Sequence, residues 1–417
     1  MELAWMSERA PLDEQARRVA AAVDPAQVVE LARRLIRIPS VVRPGDPRAN
    51  EAQVAAFLAE ELERRGWTVS VQEAAPGRPN VVADWDTGEP GFGLIVEGHT
   101  DVVTEGDRSA WSYDPFGGEV VGGRLYGRGA CDMKGGLAAA VVALDAVRQA
   151  GRGLRGRVRL AALVDEEGMM EGVKAFVRAG LADGFDGAVV CEPEENEVCL
   201  AQKGALRVLA VFRGRQAHGA MPYAGANPLP AAARFVLALS ELQAAEQRRT
   251  GAHPLLGLPW ITPTTVRAPA YGDAQFNVMA GEAHVTVDLR TVPGQDHGAL
   301  LAALQDLAER AAAAEEGVEA RTELVEDRPW TETPRDAPVV QAVDRAVRLV
   351  TGREPRYGGV PGCTDGTFLQ AWAGLPVVVL GPGKREVPHQ VDEYVDVDEL
   401  VEAARIYAAA VVYALGG

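Results

Sequence analysis

Residues 93–101 read GLIVEGHTD, a short apolar run that ends on a histidine and an aspartate. Leu94, Ile95 and Val96 are contiguous rather than alternating with polar residues, which is the pattern of a strand buried on both faces of a sheet. Three further runs share this character: RVRLAALV at 157–164, GAVVC at 187–191 and PVVVL at 376–380. Helical stretches lie between them. One opens near Met133 (MKGGLAAAVVALDAVRQA). Another covers 51–65, where Val54, Phe57, Leu58 and Leu62 form a stripe between a capping Asn50 and Gly66. Residues 68–72 and 80–84 are also strand-like. Such alternation predicts an α/β fold built on a mostly parallel sheet.

The middle of the chain follows another rule. Residues 205–213 (ALRVLAVFR) and 282–290 (EAHVTVDLR) alternate apolar and polar, as half-exposed antiparallel strands do. In the second, Ala283, Val285, Val287 and Leu289 share one face, and His284, Thr286, Asp288 and Arg290 the other. Asn227–Pro228 reads as a cap followed by proline, opening a helix to about Arg249, and a further helix is predicted over 297–315. The pattern predicts a smaller α+β module at 204–328, inserted into an α/β domain made of 1–203 and 329–417.

A chain of 417 residues exceeds one typical domain, and 47% hydrophobic with 24% charged residues excludes a disordered one. Its 59 acidic against 42 basic residues give a net charge of −17, which argues against nucleic acid or an anionic membrane as partner. Small molecules and cations are the partners such a surface suits. The four cysteines form no CxxC pair and are too few for a disulfide framework, so a reducing cytoplasm is expected. The N-terminal stretch has no signal-peptide core, and no segment approaches 18 unbroken apolar residues.

The residues that follow the strand-like runs carry the chemistry. His99 and Asp101 follow the first, Glu166 and Glu167 the second, Glu192 the third, and His389 comes shortly after the last; Asp132 precedes the helix near Met133. Ligands of open α/β sheets bind beyond the carboxyl ends of the strands, so these groups can converge. A single catalytic zinc needs about three protein ligands. Five candidates (His99, Asp132, Glu167, Glu192, His389) suit two divalent ions about 3.5–4 Å apart with one carboxylate bridging. Two such ions balance three carboxylates and a hydroxide. Glu166 is then free to act as general base, and Asp101 can accept the second ring N–H of His99. Taken singly, each has an ordinary reading: a solvated loop for Glu166–Glu167, a strand-end cap for Glu192, chance for the His-x-Asp pair.

Other motifs are less productive. YGRGACDMKGG is neither a GxxxxGK[ST] nor a GxGxxG loop, and no GxSxG elbow exists. Cys131 reads as a small packing residue, and His253 and His297 as solvated.

GHTDVV (98–103), GRGACDMKGG (127–136), DEEGM (165–169), CEPE (191–194) and HQVDEYV (389–395) resemble, in order, the motifs of the M20 metallopeptidases. That family includes acetylornithine deacetylase, succinyl-diaminopimelate desuccinylase, aminoacylase and carboxypeptidase G, and the resemblance runs from about residue 28 to the C-terminus. GCTDGTF (362–368) resembles its deacetylase/desuccinylase branch. The resemblance implies one metal on His99, Asp132 and Glu192 and a second on Asp132, Glu167 and His389, with Asp132 bridging across a cis Asp132–Met133 peptide. It implies Glu166 as base, Asp101 as orienter of His99, and His218 of RQAHGAMPYAG as an oxyanion-stabilising histidine from the inserted module. Asn277 and Arg290 correspond to substrate contacts, Arg290 to the carboxylate. Cys131 and Glu194 depart from the commoner residues at their positions, and neither is a ligand. The activity implied is hydrolysis of the amide of an N-acyl amino acid, with zinc the first expectation and cobalt or manganese the others. A dipeptidase or carboxypeptidase, or a non-catalytic zinc-binding scaffold, are the alternatives. A homodimer formed through the inserted module as a lid is implied as well.

Overall fold

The structure is a computed structural model that describes residues 2–43, 45, 46 and 49–417. It divides into two compact units, one of Met1–Leu200, Glu332–Gly358 and Thr364–Gly417, the other of Ala201–Thr331 and Gly359–Cys363.

The first unit is built on a twisted sheet. Its strands run in the order Thr68–Ala75, Arg78–Asp86, Gly156–Leu163, Phe92–His99, Gly187–Val190, Val377–Val379, Val198–Gln202. The four in the middle are mutually parallel. Those on either side are antiparallel: the first two form a hairpin that pairs onto Gly156–Leu163, and Val379 pairs antiparallel with Cys199. The contiguous apolar runs are thus the parallel strands, buried on both faces: Leu94, Ile95, Val96, Ala188, Val189, Val377 and Val378 are each at most 2% exposed.

The helix Lys134–Ala150 is buried along almost its whole length and packs on Val397–Leu415 and Pro25–Ile36. It lies close because it begins with glycines: a Cβ on Gly136 would stand 2.3 Å from the carbonyl oxygen of Cys191, so no other residue fits there. Lys134 is fully buried, its ammonium donating to the carbonyls of Leu35 (3.1 Å) and Ile38 (2.7 Å) at the end of Pro25–Ile36, and burial pulls its pKa down to about 7. Two helices, Glu2–Ala21 and Pro25–Ile36, precede the first one expected. Val28, Leu31, Ala32, Leu35 and Ile36 form the buried stripe of the second, and Asp24 caps it through the Ala26 amide.

In the second unit a four-stranded antiparallel sheet has the order Trp260–Arg267, Glu282–Thr291, Gly204–Arg213, Glu319–Arg328. Helices Leu229–Thr250 and His297–Ala313 pack on one face, burying Ala283, Val285, Val287 and Leu289 with Phe212, Phe235, Leu300 and Leu304. His297 is not solvated: its ring lies 2.7 Å from both Thr291 Oγ1 and Asp327 Oδ1. Among the described residues no helix is long and apolar enough to cross a membrane.

Candidate metal centre

Parallel register sets the site. His99 stands opposite Leu163, and Glu97 opposite Val190, so the residues following these strands emerge side by side at one edge of the sheet. Asp132 arrives from the loop before Lys134–Ala150, through a cis Asp132–Met133 peptide as the resemblance implied.

Asp132 lies between two imidazoles, its Oδ1 2.9 Å from Nε2 of His99 and its Oδ2 3.3 Å from Nε2 of His389. Glu167 reaches His389 at 2.8 Å, and Glu192 lies 3.6 Å from Nε2 of His99. The five residues read as ligands are therefore brought together. Two overlapping donor groups, His99–Asp132–Glu167 and His99–Glu166–Glu192, each have their ligand atoms within 4.8 Å of one another. Glu166 stands among these donors, and distance alone does not separate it from the ligands.

Asp101 lies beneath the Glu166–Glu167 turn as well as beside His99. Its carboxylate accepts the amide N–H groups of Glu166 (3.2 Å) and Glu167 (3.1 Å), fixing the turn that presents both side chains. Nδ1 of His99 is nearer the Asp101 carbonyl (3.0 Å) than its Oδ1 (3.5 Å). A carbonyl only accepts, so Nδ1 carries a proton, and Nε2 is the ring nitrogen that faces the cluster.

The electrostatics are those of a site short of positive charge. Burial pushes the carboxyls of Glu166 and Glu192 well above the usual range, and their acidic neighbours push the same way. Burial also raises Glu167, with Asp132 adding to it. For Asp132 burial acts upward, but its bonds to His389 and His99 win and hold it below the usual carboxylate range. Burial disfavours a charged His99, yet Glu192, Asp101 and Asp132 keep its pKa well above the ordinary value. Hydrogen bonds to Asp132 and Glu167 push His389 up to about 10. Among the described residues the salt bridges of Asp132, Glu167 and Glu192 run to these two imidazoles alone. Clustered carboxylates with imidazoles and no arginine or lysine partner fit divalent cations.

His218, Asn277 and Arg290 belong to the second unit. His218 is exposed on a two-residue strand paired with Val278–Met279, and its Nδ1 accepts the Ala220 amide at 3.0 Å, leaving Nε2 as the donor of the neutral ring. The Asn277 carbonyl accepts from Gly219 at 2.7 Å, which ties these two segments together. Arg290 donates through Nε to Asp288 (2.7 Å). Lys203 escapes a motif reading. It is buried, donates to the Leu258 carbonyl at 2.7 Å, and has its pKa lowered by burial and by the nearby charge of Arg290. Glu393 and Arg128 are also missed, although both lie inside quoted motifs. Cys131 is buried against Gly383, with burial driving its thiol pKa well upward, as befits a packing residue.

Known proteins resemble this chain over most of its length. Residues 95–413 match the model of peptidase family M20/M25/M40. The chain belongs to that family. This M20 hydrolase is 33% identical over 390 residues to succinyl-diaminopimelate desuccinylase of Phenylobacterium zucineum, covering 91% of this chain and 95% of that one. It is 32% identical over 383 residues to the Methylocella silvestris desuccinylase. Among solved structures, the yeast dipeptidase Dug1p superposes with a TM-score of 0.76 at 17% identity, over 96% of this chain and 99% of the other. The Bacillus subtilis YXEP protein, described as a dinuclear metal binding peptidase of the M20 family, gives 0.70 at 18% identity, over 94% and 98%. These structures share the M20 fold.

Proposed function

We propose that this M20 hydrolase cleaves the amide bond of an N-acyl amino acid with two divalent metal ions, zinc first, held by the cluster at the sheet edge. One ion would sit on His99, Asp132 and Glu192, the other on Asp132, Glu167 and His389. The observation that carries this reading is Asp132, whose two oxygens turn toward two different imidazoles, as a bridging carboxylate requires. Bound there, the ions supply Lewis acidity and lower the pKa of an attacking water. Glu166 takes that water's proton and passes it to the leaving amine. Asp101 holds the Glu166 main chain in place for both transfers. His218 donates from Nε2 to the oxygen that gains charge, with Asn277 beside it. Arg290, with Lys203 as a second cation nearby, pairs with the substrate's α-carboxylate.

The desuccinylase names of the relatives support the deacylase reading; the dipeptidase among the solved structures supports the nearest alternative, a dipeptidase or carboxypeptidase with the same apparatus. A panel of N-acetyl, N-succinyl and N-carbamoyl amino acids and dipeptides, assayed with zinc, cobalt or manganese, tests it. Hydrolysis confined to dipeptides would reject the deacylase, and no hydrolysis of any member would favour a metal-binding scaffold. On the best substrate, Arg290→Ala is expected to lower kcat/KM by roughly 10²-fold for the free acid and by far less for its amide. Equal losses on both would remove Arg290 from the carboxylate.

We also propose that residues 204–328 act as a lid and dimerisation domain. The sheet edge Trp260–Arg267 supports this, because Trp260 is 48% and Val266 56% exposed on a strand with an open side. Light scattering at micromolar concentration should give the mass of two chains; a single-chain mass with full activity would reject the dimer. Four free thiols, three of them buried, fit a cytoplasmic location.

A further inference from the structure

We propose that Glu393 is a positioning residue, which, with Arg128, sets the geometry of Asp132 and His389 and thereby the affinity of the site for metal; this rests on the two-metal reading above. Glu393 is 1% exposed and touches none of the candidate ligands' side chains in the hydrogen bonds it makes. Its Oε1 accepts three main-chain amides of the loop that carries Asp132: Gly129 (3.0 Å), Cys131 (2.9 Å) and Asp132 itself (3.0 Å). Its carbonyl accepts a fourth, from Gly127, at 2.9 Å. The loop curls around one carboxylate oxygen, a concavity of N–H groups of the kind that binds anions, and Gly129 at φ +86° permits the curl.

The other oxygen, Oε2, pairs with Nη1 of Arg128, which is 2% exposed. Nη2 of the same guanidinium donates to the main-chain carbonyl of His389 at 3.3 Å. The two groups thus clamp the Asp132 loop to the His389 turn, 261 residues away along the chain between Arg128 and His389. Asp132 and His389 are the ligands whose mutual position fixes the second metal site. Partners that hold ligands in this way typically contribute about 10–100-fold to metal affinity.

Glu393→Gln separates positioning from packing. Glutamine keeps an oxygen for the three amides but turns an NH₂ toward Arg128, so donor meets donor and the clamp to His389 is released. Arg128→Lys keeps a positive charge beside Glu393 but lacks the second arm that reaches His389. Zinc affinity is measured by chelator competition on the full-length protein, with melting of the metal-free protein as the check on folding and the visible spectrum of the cobalt form as the check on ligand geometry. A Glu393→Gln protein that folds, binds the weaker zinc ion about tenfold or more less tightly and changes the cobalt spectrum supports the proposal. One that folds and binds zinc as tightly as the wild type, with an unchanged spectrum, overturns it. If Glu393→Gln does not fold, Arg128→Lys decides: weakened zinc binding supports the proposal and unchanged binding overturns it. A wild-type protein that binds neither zinc nor cobalt would overturn the metal reading itself, and this proposal with it.

Discussion

Replacing Glu166 by glutamine is expected to lower turnover by roughly 10³-fold while leaving both metal ions bound. The residue is 7% exposed, and burial pushes its carboxyl well above the usual range, the direction that suits a group which must return a proton as well as take one. Its backbone is held by Asp101 whatever the side chain is, so glutamine should occupy the same place. Glutamine matches it in size and hydrogen bonding but cannot accept the water's proton. The comparison is Glu167→Gln, which removes a ligand instead: Glu167 contacts His389 at 2.8 Å, so this variant should lose the second ion and recover part of its activity in excess metal. Metal content and kcat, measured for both variants across a metal titration, distinguish the roles. Loss of metal from the Glu166 variant and not from the Glu167 variant would exchange them. Full activity in both would end the mechanism.

Affinity for the second metal ion should rise by at least about tenfold for each pH unit between pH 6 and 8. Without metal, the His389 imidazole holds its proton in that range, because its bonds to Asp132 and Glu167 raise it to about 10. It must lose that proton to ligate, so a proton leaves as the ion enters and log K climbs with a slope of about one or more. The metal-free fold has the opposite dependence. The folded value of His389 lies above the unfolded one of roughly 6.5, so the stability it contributes is complete below that pH and is lost as pH rises through about 10. Zinc binding followed by calorimetry in buffers of different protonation enthalpy counts the protons directly. An affinity that does not change with pH would mean that His389 is not a ligand.

The convergence of His99, Asp132, Glu167, Glu192 and His389 was legible because a buried parallel strand advertises itself as an unbroken apolar run, and the residue after it is at the sheet edge by construction. Strand direction was not legible in the same way. Thr68–Ala75 and Arg78–Asp86 read simply as strands, and only the turn at Pro76–Gly77, with Gly77 at φ +71°, makes them an antiparallel hairpin. Partners far apart in sequence escaped as well: the pairing of His297 with Asp327 and Thr291 depends on two strands meeting a helix start. Glu393 escaped for another reason. Its bonds are mainly to backbone amides, which every residue has, so no pattern of side chains points to it. Lys203 beside Arg290 is hidden likewise, because burial decides its importance and a lone lysine in a sequence reads as surface.

The span of the Glu393 clamp bears on how the protein is made. The hydrogen bonds that the Gly129, Cys131 and Asp132 amides donate to Glu393 close loops of more than 260 residues. Translation runs from the N-terminus, so His99, Asp132, Glu167 and Glu192 all leave the ribosome long before residues 389 and 393. During most of synthesis four acidic or imidazole groups wait at the sheet edge without the turn that completes them, and closing so long a loop is slow. The last 30 or so residues, which also include the helix Val397–Leu415 packed on Lys134–Ala150, therefore act as the final fastening of the centre. Until residue 389 has emerged from the ribosome, the nascent chain lacks the turn that would complete the place proposed for the second ion.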